Sequence, residues 1–194
     1  PERMRGRAEA AAVGVDMGTL CQGRRPRLRG MVTVDATHRT VLGSEPAGVW
    51  SAPGRVNLIG EHTDYNDGFV LPIALGHVAR VEATPRDDGR VLISSAQLGE
   101  SVELEELSPG PRAWWGYVAG VLWALRQRGH ALGGVDLALD SAVPLGGGLS
   151  SSAALEVAAA LALGKLYGIR LSKIQLALLC QKAENEFTGA KCGL

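Results

Sequence analysis

Gly146, Gly147 and Gly148, then Leu149, then Ser150, Ser151 and Ser152, stand directly before a run of helix formers in PLGGGLSSSAALEVAAALALG. Glycines let backbone N–H groups turn toward one point without Cβ obstruction. A helix that starts there adds its unbonded N–H groups and the positive end of its dipole. Together these make an anion cradle, and phosphate is the usual guest. The three hydroxyls can cap the helix, and one of them can ligate Mg²⁺. A flexible linker entering a capped helix would show the same composition. No Gly-Lys-[Ser/Thr] follows, so this is not a Walker loop, and the dinucleotide GxGxxG pattern is also missing. The cation for a phosphate guest must therefore come from elsewhere. Glu184 is a source: it lies four residues after Cys180 and three before Phe187, close to an apolar helical stripe. A carboxylate buried there needs compensation. Mg²⁺ held by Ser152 and Glu184 would supply it, and so would an ion pair with Lys165, Lys182 or Arg170.

A second polar cluster lies upstream. GRVNLIGEHTDYNDG packs Arg55, Asn57, Glu61, His62, Asp64, Tyr65, Asn66 and Asp67 into 13 positions. Such a density of donors and acceptors suits a polyhydroxylated ligand. The same residues also serve as turn formers, and His62 alone reads as a surface histidine. Arg55 follows Pro53-Gly54 between two strand-like pieces. An arginine fixed there can stabilise charge on a transferring phosphoryl group, or form a structural ion pair.

The elements that must position these groups follow from periodicity. Val49–Ser51 reads as a strand that continues through RVNLIG. FVLPIAL reads as a buried strand with Pro72 at a bulge or an edge. HVARVEATP alternates with Ala79, Val81 and Ala83 on one side, RDDG is a hairpin turn, and RVLISSA is the return strand. SVELEEL alternates again. Pro111–Arg128 is a helix with Trp114, Val118, Val121, Leu122 and Leu125 on one face. GVDLALDSAVP is a strand with Val135, Leu137 and Leu139 on one side. A helix from about Ser150 to Tyr167 is closed by Gly168. Ser172 and Gln175 form a capping box for a last helix, whose inward stripe is Leu176, Leu179, Cys180, Ala183 and Phe187. The fold class is α+β, a mixed sheet with helices packed on one face.

Bulk numbers narrow the functions. The 194 residues are 46% apolar, enough for a real core, and 20 basic residues cancel 20 acidic ones. That balance argues against a nucleic-acid or anionic-membrane partner. No apolar run is long enough for a membrane span. Three cysteines without CxxC spacing suggest reduced thiols and a cytoplasmic setting. Seven arginines against three acids give residues 1–30 a charge of +4, and residues 31–194, with 13 basic and 17 acidic residues, carry −4. Residues 1–30 read as a disordered or non-native leader, or a basic arm, ahead of a domain over 31–194.

GRVNLIGEHTDYNDG resembles the galactokinase signature. PLGGGLSSSAALEVA resembles the second motif of the superfamily that joins galactokinase, homoserine kinase, mevalonate kinase and phosphomevalonate kinase. WWGYVAG and CQKAENEFTGAKCGL resemble further galactokinase segments. The resemblance runs from about Gly48 to Leu194 and implies ATP-dependent phosphorylation of the C1 hydroxyl of D-galactose. It also implies roles for residues. Glu61, His62, Thr63 and Asp64 would hold sugar hydroxyls, and Gly193 would touch the sugar through its backbone. Arg55 would stabilise the transition state, and Gly146–Ser152 would wrap the ATP phosphates. Ser152 and Glu184 would hold Mg²⁺. Trp114 would lie near the adenine, or be plain core. In that family CGL is followed by Met-Asp, whose aspartate is the catalytic base, and by a second domain. The chain therefore corresponds to the N-terminal part, with little turnover expected alone and a monomer expected at full length. A non-catalytic sugar- or nucleotide-binding module, or a kinase for a related sugar such as N-acetylgalactosamine, are the alternatives.

Overall fold

The computed structural model describes residues 45–60, 62, 63, 66, 68–110, 113–144 and 148–193. All of them fall within the compact unit Met31–Leu194. Residues 1–30, where a leader is expected, lie outside the described residues. In chain order the elements are β1 (Gly48–Ile59), β2 (Leu71–Arg86), β3 (Val91–Ser95), β4 (Glu100–Leu104), α1 (Gly116–Gln127), β5 (Gly134–Ser141), α2 (Ser151–Leu166) and α3 (Lys173–Lys182). A π-helical turn, Ala183–Thr188, continues α3. The strands form one sheet in the order β1-β2-β5-β3-β4. Every pairing is antiparallel except β3 with β5. This is the mixed sheet with helices on one face that the periodicity implies.

The hairpin expected at Arg86–Gly89 does not form. β5 enters between β2 and β3, pairing Arg86 with Gly134 on one side and Val91 with Val135 on the other. The sequence of β5 is apolar and buried along most of its length, which suits a central strand. Its first residue must be glycine. A Cβ on Gly134 would lie 2.7 Å from the Arg90 carbonyl oxygen and 2.8 Å from the Arg90 nitrogen. The turn chemistry of RDDG is real, but it spans a gap wide enough to admit a third strand.

FVLPIAL is not buried. β2 is one continuous strand, and Leu71 and Ile73 at its start are exposed, as is Phe69 ahead of it. β5 pairs with β2 only from Ala79 onward, so among the described strands the start of β2 pairs with β1 alone. Pro72 sits at that open edge, opposite Asn57, beside a register shift at Asn57/Ile59.

The core lies between the sheet and the helices. Val81, Ile93, Leu137 and Leu139 meet Val118, Leu122 and Leu125 of α1, and Leu163 of α2. Each such side chain contributes about 1.5–3 kcal/mol when taken out of water. The expected stripe of Leu176, Leu179, Cys180, Ala183 and Phe187 is buried as a unit. α2 is rich in alanine where it is buried, at Ala154, Ala158, Ala159, Ala160 and Ala162, so its backbone can approach the sheet closely. It ends as expected: Gly168 has φ +67°, and the Ile169 N–H donates to Gly164 O at 2.8 Å. The capping box of α3 is present in both directions, 3.2 Å from Gln175 N to Ser172 Oγ and 2.8 Å from Ser172 N to Gln175 Oε1. α1 begins at Gly116, later than expected, so Trp114 lies in the turn before it.

Candidate active site

β1 carries a bulge between Pro53 and Arg55. Bulges re-aim the side chain that follows, and here that side chain is Arg55. Gly54, inside the bulge, is buried, and a Cβ there would stand 2.8 Å from Leu149 O. That close approach lets the Arg55 N–H donate to Leu149 O at 3.1 Å. One backbone hydrogen bond thus ties the arginine of the first polar cluster to the glycine–serine loop of the second. Leu149 also packs beside Val143 and Ala154 in a small apolar cluster, so the loop is pinned from below.

Among the described loop residues, Gly148 has φ +68° and Ser150 has φ +54°. Gly146 and Gly147 lie outside the described residues. Serine capping of α2 does not occur. Ser150 occupies the N-cap position in a left-handed conformation without a side-chain cap, and the first turn holds no acidic residue. The leading N–H groups of α2 therefore have no capping side chain from their own helix, which is the state that favours an anionic guest.

Ser152 looks elsewhere. Its Oγ donates to Glu184 Oε1 at 2.8 Å. Glu184 is 7% exposed, in the π-helical turn. Among the described residues no ion pair reaches it. Lys182, one of the candidate partners, instead pairs with Glu186 at 2.8 Å and lies over the Trp123 ring. One turn along α2 from Ser152, on the same face, Glu156 is 1% exposed, and its Oε1 has no hydrogen-bond partner. Burial, then the nearby Glu184 charge, pushes Glu156 up to about 10. Burial and a hydrogen bond to Glu184 push the Cys192 thiol up, with the Arg55 charge opposing. Two carboxyl groups thus share a buried site, with the Ser152 hydroxyl against Glu184. The Ser152 and Glu184 oxygens are of the hard kind that Mg²⁺ takes, while no group of three or more His, Cys, Asp or Glu side chains that could hold a metal ion is present among the described residues.

The 60–69 loop is built around Thr63. Its hydroxyl lies 2.6 Å from Gly60 O and 2.9 Å from Phe69 O. Its carbonyl accepts from Asn66 N at 3.0 Å and from Gly68 N at 2.8 Å. A Cβ on Gly68 would stand 2.6 Å from Thr63 Cβ. Thr63 spends its one proton on closing the loop, so toward a sugar it could act only as an acceptor. His62 is exposed at φ +64°, and its carbonyl accepts from Asn66 Nδ2 at 2.8 Å. Glu61 and Asp64 lie outside the described residues.

Beside the start of α2 opens a cleft of ≈ 410 Å³, lined among others by Trp114, Tyr117, Leu98, Asp140, Ser151 and Ser152. Its size and its mixture of aromatic and polar walls suit a small ligand. Trp114 is half-buried, packs against the core and lines the cleft. Asp140 has a buried Oδ2 without a hydrogen-bond partner, and burial raises its pKa against the opposing charge of Arg80.

The galactokinase galactose-binding signature matches residues 36–85, and the GHMP kinases N terminal domain matches residues 116–194. By these two matches the chain is similar to the N-terminal part of the GHMP kinases. A galactokinase of Streptomyces coelicolor is 55% identical over 166 residues, covering 84% of this chain and 43% of that protein. A galactokinase of Roseiflexus sp. is 48% identical over 154 residues, covering 78% and 39%. The crystal structure of Lactococcus lactis galactokinase complexed with galactose aligns with a TM-score of 0.74 at 33% identity, over 82% of this chain and 43% of that one. The chain spans less than half the length of these relatives.

Within the GHMP domain match fall Gly146–Ser152, Glu184 and Gly193, while Arg55 and the Glu61–Asp64 loop fall in the galactose-binding signature. Trp114 lies between the two. Sequence reasoning passed over Glu156, Asp140, Asn185 and Cys192 in this domain. Glu156 carried a readable signal, four residues after Ser152 in a helical pattern. Asp140 carried a fainter one, as the polar alternate of an apolar strand.

Proposed function

We propose that this chain forms the sugar- and phosphate-binding part of an ATP-dependent galactokinase, which converts D-galactose to galactose 1-phosphate. The Arg55–Leu149 hydrogen bond carries the reading, because it joins the two chemically distinct segments. ATP would lie with its base in the cleft against Trp114 and its phosphates over Gly148–Ser152. Galactose would sit by the 60–69 loop, with His62, and with Glu61, Thr63 and Asp64 as expected from the sequence. Gly193 would close the sugar site through its backbone. Ser152 and Glu184 would hold Mg²⁺, which when bound neutralises phosphate charge. Arg55, aimed by the bulge, would add positive charge where the phosphoryl group transfers. A cytoplasmic setting goes with the free thiols of Cys180 and Cys192, and no helix among the described residues is long and apolar enough to cross a membrane.

The test is a coupled assay of the full-length kinase on a sugar panel, with Arg55→Ala beside the wild type. Galactose should be phosphorylated, and the variant should lose about 10²–10³-fold in kcat with a small change in KM. Preference for N-acetylgalactosamine would displace galactose as the substrate, and an unchanged kcat would remove Arg55 from the mechanism.

A further inference from the structure

Residues 190–193 leave the π-helical turn and fold back along it, and Cys192 is the point of attachment. The Cys192 N–H donates to Asn185 Oδ1 at 2.8 Å, and Asn185 Nδ2 donates back to Cys192 O at 3.4 Å. Gln181 Nε2, four residues earlier on the helix, reaches the same carbonyl at 3.5 Å. A side-chain amide offers one donor and one acceptor side by side, so Asn185 treats the Cys192 residue as a neighbouring strand would. Glu184 meanwhile accepts from Ser152 at 2.8 Å. Adjacent residues of one widened turn thus hold two things. Glu184 holds the start of α2, and Asn185 holds the backbone that delivers Gly193. π-Turns recur at functional sites for this kind of re-aiming. Asn185 is itself exposed, so interior packing does not demand an amide there.

We propose that Asn185 is a positioning residue, which fixes the Cys192–Gly193 backbone at a set distance from the Ser152–Glu184 pair. In doing so it places the phosphoryl acceptor relative to the phosphate cradle. This rests on the galactokinase reading above. The expected signature is selective: acceptor kinetics depend on Asn185, and nucleotide binding does not.

The experiment compares Asn185→Leu and Asn185→Asp with wild type in the full-length kinase. Leucine matches the side chain in size and removes both hydrogen bonds. Aspartate keeps the 2.8 Å acceptor and removes the donor. Asn185→Leu should lower kcat/KM for the sugar by about tenfold or more, since small misplacements of a reacting group are costly. KM for ATP should stay within about twofold, and Tm should stay near wild type because the site is exposed. Asn185→Asp should recover most of the loss. Hydrogen exchange should show the Cys192 amide opening faster in Asn185→Leu alone, a readout that needs no activity. Wild-type sugar kinetics in Asn185→Leu, or equal damage to both substrates with a lowered Tm, would overturn the assignment. A wild-type kinase that rejects galactose but accepts another sugar would refute the galactose reading only. Asn185 would then be judged by the same split on that sugar.

Discussion

The two ends of the sheet handle charge in opposite ways. At the end where β2 gives way to β3, Asp88, Asp136 and Glu103 each have a cation. Arg86 bridges Asp88 and Asp136, at 2.5 and 2.7 Å, and Arg90 reaches Asp88 and Glu103 at 2.8 and 3.0 Å. At the other end, where α2 begins, Glu184 and Glu156 are buried, Glu184 has the Ser152 hydroxyl against it, and no ion pair among the described residues reaches either. The first end is complete as it stands. The second is short of positive charge, and buried acids in that state either keep a proton or await a cation. The contrast points to the second end as the functional one, because a poorly matched buried carboxylate costs stability.

Glu184→Gln tests the contrast hardest. Glutamine keeps the hydrogen bond from Ser152 and removes the charge. If Glu184 waits for a cation, kcat in the full-length kinase should fall about 10²–10³-fold, and the Mg²⁺ concentration for half-maximal rate should rise. Thermal stability should hold or improve, since a buried charge is lost. Unchanged Mg²⁺ dependence would make Glu184 a structural acid and erase the difference between the two ends.

Glu156→Gln separates proton from cation. Burial and the Glu184 charge hold its carboxyl near 10 in the folded chain, far above the unfolded value of about 4.5. A raised acid is one whose stability contribution is complete below the unfolded value and is lost as pH climbs toward the folded one. Wild type should therefore lose up to about 1.4 kcal/mol per pH unit between about pH 5 and 9, relative to Glu156→Gln. At this chain size that is about 2–4 °C in Tm per kcal/mol. Parallel Tm curves for the two proteins across that range would show Glu156 ionised in the fold. Asp88 slopes the other way. Its hydrogen bond from Arg86 holds its carboxyl below the usual range, so its contribution is present above about pH 4 and lost only as acid is added.

Much of the second end was legible before any coordinates. Helical counting put Glu184 beside the stripe that ends at Phe187, and that stripe is buried. The capping box of Ser172 and Gln175 and the Gly168 stop are local chemistry, and both hold. What was hidden depends on neighbours distant in sequence. Nothing local to RDDG says that β5 will enter beside it. The serines of α2 look like caps because capping is the common use of serine before a helix, yet Ser152 finds a partner 32 residues away. The exposure of FVLPIAL was hidden because its composition matches a buried strand, and only the late start of the β5 pairing uncovers it. The π-turn has the same residues an α-helix would accept, so periodicity could not announce it.

The smallest effect belongs to the finished end. Asp136→Asn removes one of the two acids that Arg86 bridges and leaves Asp88 in place. Arg86 and Asp136 are partly exposed, so water and salt screen the pair, and such pairs add little to stability. A Tm shift of about 2 °C or less is expected, shrinking further at 1 M salt as screening tightens. Kinase kinetics should not change, because the ion-pair network shares no described hydrogen bond with Arg55, Ser152 or Glu184. A large loss of stability here, persisting in salt, would mean that this end is as finely poised as the other. Charge matching would then no longer distinguish scaffold from site.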